Sequence, residues 1–370
     1  MSLNEKVRVT WSDLEVGRQL LWDIYTESGK LLLKAGQTIP SQQVLEGMCK
    51  YILYRYVKDG NTAHTKKQRR VNVFAELSNL VLRQSNIFIG LDEGDTAMPG
   101  KIENLVSDIQ SLCQNEADAV IAAFHLPNEY DYSVFHSIQC AILGAFISNE
   151  EGFSDHEQKM VIAAALTANA GMHKLQDLLA KQGGALTVGQ DEEIKRHPEQ
   201  SVKLLRAVGV NDKMWLSIIM QHHERGDGSG YPEGLLFSEI GKGALILAIA
   251  DRYGAMVSTR DYRKPLFIKD ALSAFLLDKG KAYDSRYALQ LIKIFSIFPP
   301  GSFVTLDNGE IAIVVKRGIK NPMKPIVKSI LGPDKKRYSK PLFRECGRNG
   351  YEVDGLTGFD PNIPLNYSSI

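Results

Sequence analysis

The chain has 370 residues, of which 44% are hydrophobic and 24% charged, as in a globular protein large enough for more than one domain. The formal net charge of +1 excludes bulk electrostatic attraction as a reason to bind nucleic acid. Four cysteines lie far apart without a CxxC pair, which argues against a zinc ribbon or a disulfide framework and predicts buried, reduced thiols.

The sequence predicts a cytoplasmic protein that does not associate with a membrane. The first residues lack the apolar core of a signal peptide. The longest apolar runs, such as Ala244–Ala250, are far shorter than the roughly 20 residues that cross a bilayer.

Residues 1–62 are predicted to form a small α+β domain. Apolar segments on both sides of Glu27-Ser28-Gly29 indicate a β-hairpin. Ser41 is placed at the start of a short helix, and residues 51–56 indicate a further strand. A sensing role and a packing role are both open for this domain.

Residues 63–114 are interpreted as a linker followed by helices. The basic run Lys66-Lys67-Gln68-Arg69-Arg70 follows a polar stretch and is typical of a solvated linker, and contact with an acidic partner or nucleic acid is the alternative. From Phe74 onward, apolar residues recur at helical spacing. These helices either lead into the next domain or form part of a homodimer interface.

Residues 115–295 are predicted to be helical apart from one glycine-rich loop. Residues 133–146 carry an apolar stripe with a period of about 3.6 residues beside His136, and residues 160–170 indicate a central helix that is buried all round. The pair His197-Pro198 predicts a helix that begins at this proline, because proline suits the first helical position.

Residues 296–370 are predicted to form a short β extension. Asp307-Asn308-Gly309 between two apolar segments is a strong hairpin signal, since Asn-Gly suits a type I′ turn. Ile326–Leu331 predicts a third strand, and the remainder is interpreted as a polar tail.

The stretch from His222 to Pro232 carries the strongest chemical signal. Its sequence is His222-His223-Glu224-Arg225-Gly226-Asp227-Gly228-Ser229-Gly230-Tyr231-Pro232. Adjacent histidines at a helix end can direct two ring nitrogens into one cavity, and glycines let the backbone approach whatever lies there. Histidines, acids and close backbone together indicate a metal and a phosphate ester.

This stretch resembles the HD-GYP family of the HD superfamily, bacterial metal-dependent phosphodiesterases that act on cyclic di-GMP. The family's ordered elements are a first histidine, a His-Asp pair, a His-Pro, a His-His before the GYP loop and a late aspartate. Residues 259–263 resemble the arginine-tyrosine-arginine segment that follows this aspartate. The resemblance covers residues 115–306. It implies an all-helical HD-type domain. Together with the N-terminal α+β domain and the C-terminal β extension indicated by the residue patterns, this predicts a mainly α fold.

The His-Asp pair of the family is replaced here by Ala168-Asn169. Two cations about 3.5–4 Å apart need an anionic bridge, and Asn169 offers only a neutral carbonyl oxygen. Ala168 offers no ligand. His173 lies outside the ligand positions and is interpreted as a helix-end or surface residue.

The resemblance implies a set of metal ligands and a set of substrate contacts, and no catalytic residue is assigned. The metal ligands are His136, His197, His222, His223 and Asp251, with Asn169 as a weak candidate. Three imidazoles suit one divalent transition metal, Fe, Mn, Ni or Zn, so we expect at most one per chain or none. The substrate contacts are Gly228, Gly230, Tyr231, Pro232, Arg260 and Arg263.

Two functions fit these observations. The favoured one is a degenerate regulatory module of bacterial cyclic di-GMP signalling that binds a ligand or partner, with weak or no hydrolysis, because the missing aspartate is the residue chemistry can least spare. The alternative is a metal-dependent phosphodiesterase with a reduced, mononuclear site. The resemblance implies cyclic di-GMP or a related nucleotide as ligand, and a GGDEF-type diguanylate cyclase or another signalling protein as partner.

Overall fold

A computed structural model of the chain describes residues 4–9, 14, 16–48, 51, 53–58, 72–125, 129–258, 260, 266, 268–277, 282–318, 320–348 and 350–358. The chain divides into two compact units, Met1–Asn86 and Ile87–Ile370. The finer division into four parts stays a prediction.

The first unit contains a small antiparallel sheet and a short helix. Its elements are β1 (Asn4–Arg8), β2 (Ile24–Thr26), β3 (Leu31–Leu33), α1 (Gln42–Met48) and β4 (Leu53–Lys58). The strand order is β1-β4-β2-β3, so the hairpin predicted around Glu27-Ser28-Gly29 is confirmed as β2 and β3. The hydroxyl oxygen of Ser41 accepts from the Val44 N–H at 3.3 Å, as expected of a residue at the start of a helix.

Helices follow one another from residue 73 to residue 295. They are α2 (Val73–Glu93), α3 (Met98–Asn115), α4 (Ala117–His125), α5 (Tyr132–Glu150), α6 (Asp155–Thr167), α7 (His173–Lys181), α8 (Val188–Ala207), α9 (Lys213–Gln221), α10 (Lys242–Val257), α11 (Ile268–Leu277) and α12 (Ser285–Phe295), with a 3-10 turn at Ala170–Met172. The predicted mainly α fold is confirmed. Within the described ranges, no helix combines the length and apolarity needed to cross a bilayer.

Helices α5, α6 and α10 form the centre of the helical region. The residues Val161–Thr167 of α6 are buried on every side, which confirms the central helix predicted from this apolar run. The indole N–H of Trp215 in α9 donates to the hydroxyl oxygen of Thr167 at 2.9 Å. This buried hydrogen bond joins α9 to α6 close to the histidine pair that follows α9.

The prediction that a helix begins at Pro198 was wrong, because α8 begins ten residues earlier at Val188 and Pro198 lies inside it. The start of α8 is fixed by a capping box, in which Thr187 and Gln190 each bond to the backbone N–H of the other. The first half of α8 is too polar to show a buried apolar stripe, so the sequence indicated a helix only from Pro198 onward.

The C-terminal region forms a five-stranded antiparallel sheet with the order β8-β7-β6-β5-β9. Its strands are β5 (Phe303–Leu306), β6 (Ile311–Lys316), β7 (Ile326–Leu331), β8 (Arg337–Glu345) and β9 (Val353–Thr357). The hairpin of β5 and β6 and the third strand β7 are confirmed.

The predicted polar tail was wrong for residues 337–357, which form the two edge strands of the sheet. Polar edge strands do not show the apolar alternation of inner strands, because charged side chains protect an exposed edge. Arg344 of β8 forms an ion pair with the buried Glu310 carboxylate at 2.9 Å. Residues 359–370 lie outside the described residues.

Candidate metal centre

The imidazole of His197 is oriented by the backbone carbonyl of Ile194, which Pro198 leaves without its usual helical hydrogen bond. Pro198 has no N–H, so it cannot supply the helical hydrogen bond that the Ile194 carbonyl would otherwise accept. The Nδ1 atom of His197 lies 2.5 Å from this carbonyl oxygen. Because the carbonyl can only accept, Nδ1 carries the proton, and the Nε2 lone pair is left for another partner.

His222 is held in the same way at the end of α9. Its Nδ1 atom lies 2.6 Å from the Ile219 carbonyl oxygen, so Nδ1 again carries the proton. The Nε2 atoms of His222 and His197 lie 3.3 Å apart. Two lone pairs that face each other at this distance repel unless a proton or a cation lies between them.

His223 supplies the third nitrogen of this group. Its Nε2 atom is buried and has no hydrogen-bond partner in the described part of the chain. One ring nitrogen from each of His197, His222 and His223 lies within 4.8 Å of the others. These residues, the three-histidine group, therefore fit a single cation by geometry and by an unused lone pair.

Burial keeps all three rings neutral. Burial, reinforced by the neighbouring His222, lowers the pKa of His197 to about 3. The pKa of His222 is lowered and that of His223 is held well below its usual range, in both cases mainly by burial. Neutral imidazole is the form that binds metal, so no proton has to be removed from these rings at neutral pH.

A second group of candidate ligands lies between α5 and α10, and we call it the α5–α10 group. It consists of His136, Cys140 and Asp251, with one ligand atom of each within 4.8 Å of the others. His136 Nε2 donates to Asp251 Oδ1 at 2.9 Å, while the Nδ1 atom of His136 is buried without a partner among the described residues.

Asp251 is a carboxylate in this environment. Burial alone would raise the pKa of Asp251, but the hydrogen bond from His136 and the surrounding histidines hold it well below its usual range. The charge of Asp251 also acts on His222 and His223, so the two groups influence each other electrostatically.

The segment Ala168-Asn169 lies against α8 beside His197. Ser201, one turn after His197, donates its hydroxyl to the Ala168 carbonyl oxygen at 2.6 Å and accepts from the Gly171 N–H at 2.8 Å. The Oδ1 atom of Asn169 is buried and has no partner in the described ranges. The weak ligand predicted from the sequence therefore has an unused oxygen, although its role as a ligand stays a prediction.

Glu224 organises the glycine-rich loop of residues 225–232, called the glycine loop below, and the sequence did not suggest this role. Its carboxylate accepts backbone N–H groups from Glu233 at 2.6 Å, Gly234 at 3.2 Å and Leu235 at 2.9 Å. An acid directly after a histidine pair and before a glycine-rich turn was the available signal. These three hydrogen bonds hold the end of the loop against Glu224.

Two glycines of the loop are required by its backbone. A Cβ at Gly230 would lie 2.6 Å from the His223 carbonyl oxygen, which is closer than such atoms approach. Gly228 has a φ of +77°, in the region that favours glycine. The loop therefore folds back onto the residues that follow α9. The predicted substrate contacts of Gly228 and Gly230 remain untested.

Tyr231 and Pro232 extend from this loop next to the three-histidine group. The Tyr231 ring stacks on the His223 ring with centroids 4.8 Å apart and planes 23° apart. Tyr231 is half-buried and Pro232 is exposed. Tyr231 thus presents an aromatic face and hydroxyl beside the candidate metal ligands.

Arg260 lies beside the α5–α10 group. It donates from Nη2 to the Tyr132 hydroxyl at 2.6 Å, and the Tyr132 ring stacks on His136 with centroids 5.3 Å apart. Tyr132 and Cys140 were not predicted as site residues, although both lie four residues from His136, one turn away on the same helix face. Arg263 lies outside the described residues.

His173 belongs to neither group, in agreement with its interpretation as a helix-end residue. It is the first residue of α7, and its Nε2 atom lies 3.1 Å from Asp92 Oδ2. Its ring stacks on Phe88 with centroids 4.7 Å apart.

Residues 125–287 match a family model described as HD domain. The cyclic di-GMP phosphodiesterase PA4108 of Pseudomonas aeruginosa is 24% identical over 267 residues, which cover 72% of this chain and 64% of that protein. The cyclic di-GMP phosphodiesterase PdeB of Borreliella burgdorferi is 27% identical over 57% of this chain and 56% of its own length. The chain therefore spans less than two thirds of these relatives.

A solved structure supports the fold. The protein described as Bd1817, a HDG"Y"P protein from Bdellovibrio bacteriovorus, aligns with a TM-score of 0.54 and 15% identity. The alignment covers 78% of this chain and 99% of that one. At this identity the likeness concerns the fold alone.

Proposed function

We propose that the chain, whose residues 125–287 match the HD domain family model, is a regulatory module of bacterial cyclic di-GMP signalling. In this proposal it binds a cyclic dinucleotide through one divalent cation and hydrolyses it weakly or not at all. The observation that carries the proposal is the convergence of three neutral imidazoles, two of them fixed by backbone carbonyls and the third with a buried Nε2 atom that has no partner among the described residues.

The three-histidine group suits Zn, Ni or Fe, which accept imidazole ligands, and Mn is a weaker match. Three neutral ligands leave the cation's charge uncompensated, which favours an anionic phosphodiester in the open positions. When bound, the cation supplies polarisation of a phosphoryl oxygen and a lowered pKa for bound water. The protein's contribution is to hold three lone pairs in place before the cation arrives.

Weak hydrolysis follows from the residues next to this group. A second cation about 3.5–4 Å away would need a bridging carboxylate, and the position that resembles the family's aspartate carries the neutral amide of Asn169. Ala168 offers no side-chain ligand. Asp251, the carboxylate of the α5–α10 group, is already hydrogen-bonded to His136.

The nucleotide contacts are proposals built on the side chains around the two groups. Arg260 lies beside His136 through Tyr132, where a guanidinium can pair with a phosphate oxygen. Tyr231, stacked on His223, offers a ring face to a base. Gly228, Gly230 and Pro232 are proposed as further contacts of the nucleotide, and Arg263 is included on the family resemblance alone.

The partner proteins are proposed from the family resemblance. The glycine loop exposes Ser229 and Pro232, which gives a GGDEF-type diguanylate cyclase or another signalling protein a surface to contact. A homodimer is a further candidate assembly.

Calorimetric titration with cyclic di-GMP tests the proposal. We expect metal-loaded protein to bind the nucleotide, and chelated protein and His222→Ala to bind it at least tenfold more weakly. His156→Ala is the matched control, because this histidine is exposed and belongs to neither group. Equal affinity in loaded, chelated and His222→Ala protein would contradict the metal's role, and no binding of any cyclic dinucleotide would overturn the proposal.

A phosphodiesterase with a mononuclear site is the second candidate. It is favoured by one observation, since three histidines with an open position form the ligand arrangement of catalytic zinc sites. Chromatography of cyclic di-GMP incubated with protein loaded with Zn, Mn, Ni or Fe distinguishes the two. Turnover that is lost in His222→Ala would establish the enzyme, and intact nucleotide with every cation would leave the regulatory module.

A further inference from the structure

We propose that Cys140 is a metal ligand, and that with His136 and Asp251 it forms a second cation site in place of the ligands lost at Ala168-Asn169. The inference goes beyond the proposed function, because the site requires neither a nucleotide nor an occupied three-histidine group. It gives Cys140, predicted from the sequence as a buried thiol, a chemical role.

The spacing on α5 places the thiol correctly. Cys140 follows His136 by four residues, so both side chains project from the same face of the helix. Asp251 reaches them from α10, and one ligand atom of each residue lies within 4.8 Å of the others. Two helices therefore supply three ligands of different chemistry to one point.

The distances agree with a tetrahedral cation. Zinc with a sulfur about 2.3 Å away and a nitrogen about 2.05 Å away separates these two ligand atoms by about 3.6 Å. Cys140 Sγ lies 3.6 Å from His136 Nε2. The 2.9 Å between His136 Nε2 and Asp251 Oδ1 is a hydrogen bond, and these atoms need to separate by only about 0.5 Å once a cation replaces the shared proton.

The charges also suit a divalent cation. When a cation binds, the Cys140 thiol releases its proton to solvent. The resulting thiolate and the Asp251 carboxylate together carry two negative charges, which offset a buried dication as neutral ligands do not. Cys140 and His136 are buried, whereas the Asp251 side chain keeps 20% of its surface exposed and leaves a side from which a cation enters. Thiolate and imidazole together favour Zn or Co over Mg or Ca.

The α5–α10 group should bind more weakly than the three-histidine group. His197 and His222 already hold their Nδ1 protons on backbone carbonyls. In His136 the proton that points from Nε2 to Asp251 must be displaced, and Nδ1 has no acceptor among the described residues to receive it. The two sites are therefore expected to fill in sequence.

Cobalt titration of the full chain tests the inference, because a thiolate bound to Co²⁺ gives a charge-transfer band in the near ultraviolet. We expect two bound cations per chain, with the band growing during the second. Cys140→Val should remove the band and one cation, and Cys140→Ser should remove the band. Cys113→Ser is the matched control, a buried cysteine of α3 outside both groups, and should keep the band.

The failure of this inference can be told apart from the failure of the proposed function. His222→Ala should keep the thiolate band while it loses nucleotide binding, and Cys140→Val should keep the first cation. A band that persists in Cys140→Val, or two bound cations in wild type without any band, would overturn the assignment. Circular dichroism of each variant establishes that the fold is retained.

Discussion

The three-histidine group and the α5–α10 group hold their ligands by opposite means. In the first, backbone carbonyls accept the Nδ1 protons of His197 and His222, and the Nε2 lone pairs converge on each other. In the second, the Nε2–H group of His136 donates a hydrogen bond to Asp251, and the other ring nitrogen of His136 has no partner in the described part of the chain. One group is therefore preorganised for a cation, whereas in the other the hydrogen bond between His136 and Asp251 must be broken before a cation can bind.

The largest expected effect that separates the groups is a pH dependence of stability in chelated protein. The pKa of His197 is about 3 in the folded chain against about 6.5 when unfolded, so protons bind the unfolded state first as pH falls. The contribution of His197 to the free energy of unfolding should therefore be constant above about pH 7. Below that, His197 should lower the free energy of unfolding by up to about 1.4 kcal/mol per pH unit, down to about pH 3.

Urea unfolding at several pH values measures this dependence. His197→Ala should reduce the slope of the curve between pH 6.5 and pH 3, and the exposed His156→Ala should leave the slope unchanged. A wild-type stability that does not change across this window would show that the three-histidine group is not buried as described.

Pro198→Ala tests whether the Ile194 carbonyl orients His197 only because Pro198 has no N–H group. The new N–H would bond to the Ile194 carbonyl and compete with His197 Nδ1, so metal affinity should fall roughly 10–100-fold, as when a metal ligand loses an outer partner. The apo protein should become more stable, by up to about 3 kcal/mol, since an interior proline weakens a helix.

Chelator competition and thermal unfolding of the same sample measure the two effects of Pro198→Ala. Opposite signs in affinity and stability are the expected pattern. Unchanged affinity together with raised stability would mean that Pro198 has no influence on the histidine.

Gly230→Ala tests whether the glycine loop is fixed by close backbone contact. A Cβ there would press on the His223 carbonyl, and we expect a loss of about 1–3 kcal/mol in the free energy of unfolding. Gly189→Ala is the control with the opposite sign, because nothing lies within 4 Å and alanine favours a helix by about 0.5–1 kcal/mol. Chemical denaturation of both variants measures this contrast, and equal effects would count against the described loop.

Asn169→Asp should have the smallest effect. The carboxylate alone would not restore a pair of bridged cations, because Ala168 still offers no ligand. The double change Ala168→His, Asn169→Asp should raise the metal-to-protein ratio measured by elemental analysis. An unchanged ratio in the double variant would contradict the alignment of this segment with the His-Asp pair of the family.

The sequence predicted the elements that carry strong periodicity or a strong motif. The central helix and the Asn-Gly hairpin were confirmed, because apolar patterns and turn residues act locally. The edge strands β8 and β9 were missed, since their polar residues are determined by their place in the sheet.

The candidate site was predictable in its histidines but not in how they are arranged. His197, His222 and His223 come together as a group, yet the carbonyl that orients His197 depends on Pro198 lying inside a helix, which the sequence did not indicate. Cys140 was missed because a cysteine on an apolar helix has the pattern of a core residue. The folded chain distinguishes Cys140 from a core residue because Asp251 approaches it and His136 from α10.

Elemental analysis of purified, unchelated protein beside His222→Ala tests the central claim most directly. The three-histidine group predicts that wild-type protein carries a divalent transition metal and that His222→Ala carries about one cation fewer per chain. The same metal content in both proteins, or none in the wild type, would contradict it.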